Sequence, residues 1–278
     1  MINFTEKFFD LKLLKISDIK LHETTETKRL RNIYDRIANN RFLFNPVIVG
    51  LHKKDLILID GANRLSTLKD IGCKLSIAQV IDYNNRKIKL KNWNHLVYNI
   101  DLEYLLGYFD RNNIKFRFVK YAEGEKIRNS KLYHMLISDI KNDKTVLVYL
   151  PKGFENVVKE LNKLTKLYFG KYPFDRSEEE ITYSDLRKYT RREGILIEFP
   201  KFKKHHVINA AKNGYKIPAG ITRHILINRV LHVRYEIAKL KDDRDIDIKT
   251  KELKKYLINK IDNNKVRQYR ESVIVFDE

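Results

Sequence analysis

Residues 56–72 read LILIDGANRLSTLKDIG. Four apolar residues run into Asp60 and Gly61, and apolar side chains then recur at Leu65, Leu68 and Ile71. The first run has the length and unbroken apolarity of a buried strand, and the second has the spacing of a helix with one inward face. Gly61 supplies a permissive backbone where strand hands over to helix, Asp60 is placed to cap the helix, and Gly72 is placed to stop it. A tight structural turn is a sufficient account of these residues taken alone.

The surrounding residues extend the pattern. PVIVGL (46–51) and LILID are two strands joined by the polar turn HKKD, a hairpin-length connection. Upstream, LLKISDIKL (13–21) reads as one strand, and TETKRLRNIYDRIANN (25–40) as a helix burying Leu30, Ile33, Tyr34 and Ile37 at i, i+3, i+4 and i+7. Downstream, LSIAQVID (75–82) closes a βαββαβ unit of a size suited to one small domain. From about residue 85 the chain is mixed. KNWNHLVYNIDLEYLLGYF (91–109) has helical periodicity, TVLVYL and ILIEF read as buried strands, PKGFENVVKELNKL and TKELKKYLINKI as amphipathic helices, and the ending ESVIVFDE as a strand. The expected fold is therefore α/β (α+β), with a unit over residues 1–84 packed against a second mixed α/β unit over 85–278.

Composition bounds the function. With 278 residues, 43% of them hydrophobic, the chain can bury a substantial core. It contains no apolar run long enough to span a bilayer, and its start lacks the character of a secretory leader, so a cytoplasmic location without a membrane partner is expected. One cysteine, Cys73, allows neither an internal disulfide nor a paired-cysteine zinc site. The net charge of +20 raises the question of nucleic acid, but basic residues are interleaved with acids along solvated helix faces. FPKFKKHH (199–206) is the densest basic patch, and it carries neither a repeat nor a zinc spacing. Nothing in the sequence sets the oligomeric state.

The turn at 60–67 also has chemistry to offer. A helix N-terminus presents unsatisfied amides and a partial positive charge, which suits phosphate. Gly61 lets the backbone approach, Arg64 adds a fork of donors, and Ser66 and Thr67 add hydroxyls. A carboxylate at Asp60 would repel phosphate unless a cation stood between them, which points to Mg²⁺ held by Asp60. The loop after the first strand, His22-Glu23, lies on the same sheet edge if this reading of the sheet holds, and would bring Glu23 toward that site.

ISDIKLHET (16–24), the RLRNIYDRI helix, NPVIV and LILIDGANRLSTLKDIGCKLSIAQVIDY (56–83) together resemble the ParB/sulfiredoxin-type nucleotide-binding domain. Within that group the chain is most similar to the free L-serine kinases, with their His-Glu step and Asp-Gly-x-His-Arg turn; WNH (93–95) and IPAGITR (217–223) match as well. The resemblance is weak between residues 110 and 205. It implies phosphoryl transfer from ATP or ADP to the hydroxyl of free L-serine, with Glu23 as base, Asp60 catalytic and magnesium-holding, and Gly61, Ala62, Asn63, Arg64, Ser66 and Thr67 around the nucleotide. It further implies serine contacts from His22, Trp93, His95, Thr222 and Arg223, with Arg223 for the carboxylate; core, surface and salt-bridge roles are the structural alternatives for Trp93, His95 and Arg223. Asn63 stands where the relatives have His, and an amide can hydrogen-bond phosphate but cannot shuttle a proton. Sulfiredoxin chemistry is excluded because the turn lacks a thiol. A ParB-like, nucleotide-responsive DNA-binding regulator is the alternative; it is not favoured, since the turn holds a single arginine and no recognition helix stands out.

Overall fold

The computed structural model describes residues 10–130, 132–178, 183, 186 and 194–269. Its first sheet is built from β1 (Leu11–Lys15), β2 (Ile19–Leu21), β4 (Val47–His52), β5 (Asp55–Asp60) and β6 (Leu75–Asp82), in the order β1-β6-β4-β5-β2; β3 (Phe42–Leu43) lies outside it. Helices α1 (Thr27–Ala38) and α2 (Ala62–Asp70) pack against each other. The hairpin is formed as expected, His52 opposite Asp55, with Lys53 at φ 56 in its two-residue turn.

The stretch LLKISDIKL is not one strand. β1 and β2 are separated by a 3-10 turn over Ile16–Asp18 and occupy opposite edges of the sheet. Leu13, Ile16 and Ile19 are all buried, and a spacing of three cannot place them on one face of a strand, whose faces alternate every residue. In α1 the inward face is narrower than expected: Ile37 is buried and Ile33 partly so, but Tyr34 is 38% exposed.

The second sheet begins with β7 (Lys89–Tyr98), which corrects the helical reading of 91–109; only its second half forms a helix, α3 (Leu102–Arg111). Leu102, Leu105, Leu106 and Phe109 carry the helical spacing and are buried, whereas β7 lies between two neighbours and is buried on both faces over its C-terminal half. A strand covered on both sides loses the alternation that marks strands in sequence. Next come β8 (Phe116–Val119), α4 (Tyr121–Ser130), β9 (His134–Asp139), β10 (Lys144–Tyr149), α5 (Phe154–Thr165), β11 (Phe174–Glu178), β12 (Gly194–Glu198), α6 (Lys204–Asn213) and β13 (Thr222–Ile225). The order is β11-β7-β12-β9-β10-β8, with β13 on the N-terminal end of β7, and every pairing is antiparallel.

After β13 the chain returns to the first sheet. β14 (Tyr235–Glu236) pairs with β3, and α7 (Ala238–Lys241) and α8 (Ile246–Asp262) follow, α8 packing on β1. Val233, Tyr235, Ile237, Leu240 and Leu253 are buried in one core with Leu13, Leu58 and Ile77. A division at residue 84/85 remains a proposal, and it has to include this return. The expected terminal strand ESVIVFDE lies outside the described residues.

One connection between the two sheets positions the site. The backbone beyond β2 pairs with residue 217: Ile217 N–H donates to His22 O at 2.8 Å, and Thr24 N–H donates to Ile217 O at 2.9 Å. Thr24 Oγ1 also accepts from the Ala219 amide at 2.9 Å, so Glu23 is held between two anchored neighbours.

Candidate active site

A cavity of about 520 Å³ lies at this junction. Extended backbone sends successive side chains to opposite faces, so His22 turns into the protein while Glu23 turns into the cavity. From the first sheet come Asp60 at the end of β5 and Gly61, Ala62, Asn63 and Arg64 at the start of α2. The second unit contributes Trp93, Arg176, Gly220, Thr222, Arg223 and His224, and the C-terminal return contributes Arg229.

The strand-to-helix turn is made by Gly61, the N-cap residue of α2, at φ 98. No side chain caps the helix, so its first amides stay open toward the cavity. Asp60 is not the cap. Its Oδ2 accepts from Arg64 Nη2 at 3.1 Å and from Arg229 Nη1 at 2.5 Å. Burial pushes the Asp60 carboxyl up, but the two guanidiniums outweigh burial and hold it below the usual carboxylate range. Asn63 Oδ1 and Arg64 Nε line this turn and are buried without a hydrogen-bond partner among the described residues.

Glu23 has the opposite environment. Its side chain is 19% exposed, and burial raises its pKa to about 7. The Thr222 hydrogen bond, the Arg176 charge and the Gly220 amide lower it, while the Asp60 charge adds to the rise. Thr222 Oγ1 lies 3.2 Å from Glu23 Oε2 and 3.1 Å from His22 Nε2. His22 Nδ1–H donates to Leu58 O at 2.7 Å, and burial lowers the pKa of the ring to about 4. Nε2 of this neutral imidazole is consequently an acceptor. The single Thr222 proton cannot serve both His22 and an ionised Glu23. When Glu23 is protonated the conflict disappears, because Glu23 donates to Thr222 and Thr222 donates to His22. The relay through Thr222 to His22 therefore favours the protonated acid along with burial, whereas a direct Thr222 bond and the Gly220 amide favour the ionised one.

Several expected site residues stand behind the cavity. Ser66 and Thr67 do not line it; they lie a full turn into α2, and Thr67 is completely buried. His22 reaches the cavity only through Thr222. His95 is a core histidine, with Nδ1 on Tyr168 Oη at 2.7 Å and Nε2 on Gly220 O at 3.0 Å among Phe169, Phe174 and Phe199. Burial takes its pKa down to about 3. Trp93, Thr222 and Arg223 do line the cavity, and the Arg223 guanidinium stacks 4.4 Å over the Trp93 ring. Sequence reasoning missed Glu26, Arg176, His224 and Arg229. Of these only His224, two residues from Thr222 on β13, had a signal to find: alternate strand residues share a face.

The chain is 24% identical over 275 residues to the ATP-dependent L-serine kinase SbnI of Staphylococcus aureus, covering 96% of this chain and 97% of that protein. Over nearly its whole length the chain is thus similar to a protein named as an L-serine kinase. An ATP-dependent L-serine kinase of Staphylothermus marinus is 26% identical over 230 residues, 77% of this chain and 84% of its own. Among solved structures, SbnI with a C-terminal truncation from Staphylococcus aureus superposes with a TM-score of 0.71 at 20% identity, over 91% of this chain and 97% of that one. A free serine kinase in complex with AMP gives 0.70 at 17% identity, over 84% and 94%. No family model matches.

Proposed function

We propose that this protein transfers the terminal phosphoryl group of ATP to the side-chain hydroxyl of free L-serine. Glu23 accepts the hydroxyl proton as the serine oxygen bonds to the γ-phosphorus and the bond from phosphorus to the β,γ-bridging oxygen breaks, giving O-phospho-L-serine and ADP. What carries the reading is that an acid with a pKa near neutrality lines the same cavity as an uncapped helix N-terminus. A base works best when its pKa lies near the working pH, and the helix amides hold phosphate while Glu23 meets the hydroxyl.

Gly61, Ala62, Asn63 and Arg64 cradle the phosphates. Thr222 orients the Glu23 carboxyl, with His22 fixing Thr222 from behind; Trp93 and Arg223 form a wall, and His95 holds the Gly220 carbonyl in place. Among the described residues no cluster of three or more His, Cys, Asp or Glu could hold a metal by itself. Mg²⁺ is commonly held by one or two carboxylates together with substrate phosphates, and Asp60 would be that carboxylate here. Both guanidiniums on Asp60 engage Oδ2, leaving Oδ1 as the oxygen to hold the ion, which would offset phosphate charge. The DNA-binding alternative is not favoured, since the relative matched over nearly the whole chain carries a kinase name.

Purified protein with Mg²⁺, ATP and L-serine should yield phosphoserine and ADP in equal amounts. Glu23→Gln should lower the rate by about a hundredfold or more while ATP still binds. ATP consumption without phosphoserine, or full activity in Glu23→Gln, would overturn the assignment.

A further inference from the structure

We infer that the ion pair between Glu26 and Arg176 is the clamp for the amino-acid end of the substrate, Arg176 taking its carboxylate and Glu26 its ammonium. The inference rests on the serine-kinase reading and names the recognition half of that site. Arg176 Nη2 donates to Glu26 Oε2 at 2.6 Å, both side chains are 22% exposed, and both line the cavity. The partners come from opposite units, Glu26 from the end of the Glu23 loop and Arg176 from β11, so the pair bridges the cavity.

Three observations set this pair apart from an ordinary inter-unit salt bridge. Glu26 is the N-cap residue of α1, yet its side chain makes no capping hydrogen bond. Arg176 Nε is buried and has no hydrogen-bond partner among the described residues, although it belongs to the same fork as the Nη2 that Glu26 occupies. Gly220 keeps the space clear, because a Cβ there would fall on the Arg176 guanidinium. The fork is thus held against bare backbone with one donor unused, while the Phe174 ring lies 5.3 Å from the guanidinium carbon.

An α-amino acid is a zwitterion whose two charges are complementary to this pair. On binding, its carboxylate takes the Nη2 donor that Glu26 gives up, and Glu26, displaced from Nη2, moves to the ammonium. One ion pair becomes two, so no charge is left buried and unpaired. Arg176 also lies close enough to Glu23 for its charge to act there, which brings the hydroxyl of a clamped serine toward the base. An analogue that lacks either charged group leaves one member of the clamp without its partner.

The test compares L-serine with ethanolamine, which lacks the carboxylate, and 3-hydroxypropionate, which lacks the ammonium, in the presence of ATP and Mg²⁺. The wild-type protein should prefer serine over each by at least about a hundredfold in kcat/KM, as sites built on buried polar pairing do. Arg176→Met should erase most of the preference over ethanolamine, and Glu26→Gln most of the preference over 3-hydroxypropionate, with ATP affinity kept in both. If Arg176→Met does not fold, Arg176→Lys carries the test: a raised serine KM at unchanged ATP affinity is expected, and an unchanged serine KM overturns the clamp. Wild-type preferences retained in both variants would also overturn it, as would loss of the ethanolamine preference in Arg223→Met but not in Arg176→Met. If the wild-type protein makes no phosphoserine, the kinase reading falls and the clamp with it; phosphoserine formed with unaltered preferences refutes the clamp alone.

Discussion

Glu23 is an acid that its surroundings make reluctant to ionise, and that reluctance has a measurable consequence for stability. Its folded pKa of about 7 lies above the ordinary 4.5, chiefly through burial. A carboxyl shifted this way holds its proton in the native state throughout that window, so its contribution to stability is whole below 4.5 and is lost as pH rises through 7. Replacing it by a neutral isostere removes the ionisation. Glu23→Gln should therefore be more stable than wild type at pH 8, by up to about 3 kcal/mol, with the advantage shrinking toward pH 5. Urea unfolding at both pH values checks this, and an equal difference at both would show that Glu23 titrates normally. The position of this acid was legible only through the His22-Glu23 step and its family likeness. Its environment was not legible, because Thr222 lies 199 residues away and the Ile217 bridge is a contact between chain segments that no local pattern encodes. His95 was misplaced for a related reason: a histidine with Phe169, Phe174 and Phe199 around it has the same letter as one in a cleft.

At the scale of elements, the strand-to-helix turn and the hairpin before it were readable because each is local: two apolar runs, a short polar link and a glycine at the handover. β7 was not, since burial on both faces removes the alternation on which strand recognition depends. The loop from Ile217 to Gly220 belongs to neither kind of element, yet it ties the site together. It pairs with the Glu23 backbone, accepts from His95 Nε2–H through Gly220 O, and gives Arg176 room at Gly220. Gly220 sits at φ 72, where an L-residue is disfavoured by about 1–2 kcal/mol. Gly220→Ala should therefore lower the unfolding free energy by at least about that amount. Its added methyl group should also push Arg176 aside, raising serine KM more than it weakens ATP binding. Titrations of the two ligands distinguish these effects, and equal losses for both would mean that the loop has collapsed rather than that Arg176 has moved.

For the whole molecule, the decisive feature is the return of the chain after β13, which brings Val233, Tyr235 and Leu253 into the core of the first sheet and carries Arg229 to Asp60. Amphipathic spacing revealed α8 as a helix but not its destination, because an apolar stripe states that something must be covered without naming the cover. The outcome is a cavity lined by four arginines, Arg64, Arg176, Arg223 and Arg229, against Glu23, Glu26 and Asp60. Four guanidiniums are thus gathered against three carboxylates in the cavity proposed for ATP, and that gathering depends on a segment more than 160 residues beyond the turn at Asp60. Without nucleotide, Arg229 shares Asp60 with Arg64; with phosphates present, it has a stronger anion within reach beside the α2 amides. Arg229→Ala should accordingly weaken ATP binding by about tenfold, the low end of what a hydrogen bond to a charged group contributes, because Asp60 already holds part of that charge. Serine KM at saturating ATP should stay near the wild-type value, since the Glu26–Arg176 pair does not involve this segment. The loss should also diminish as salt rises, in step with the screening of the remaining guanidiniums. ATP affinity left unchanged at low salt would make Arg229 a counterion of Asp60 alone, and would confine the nucleotide site to the first unit and its α2 amides.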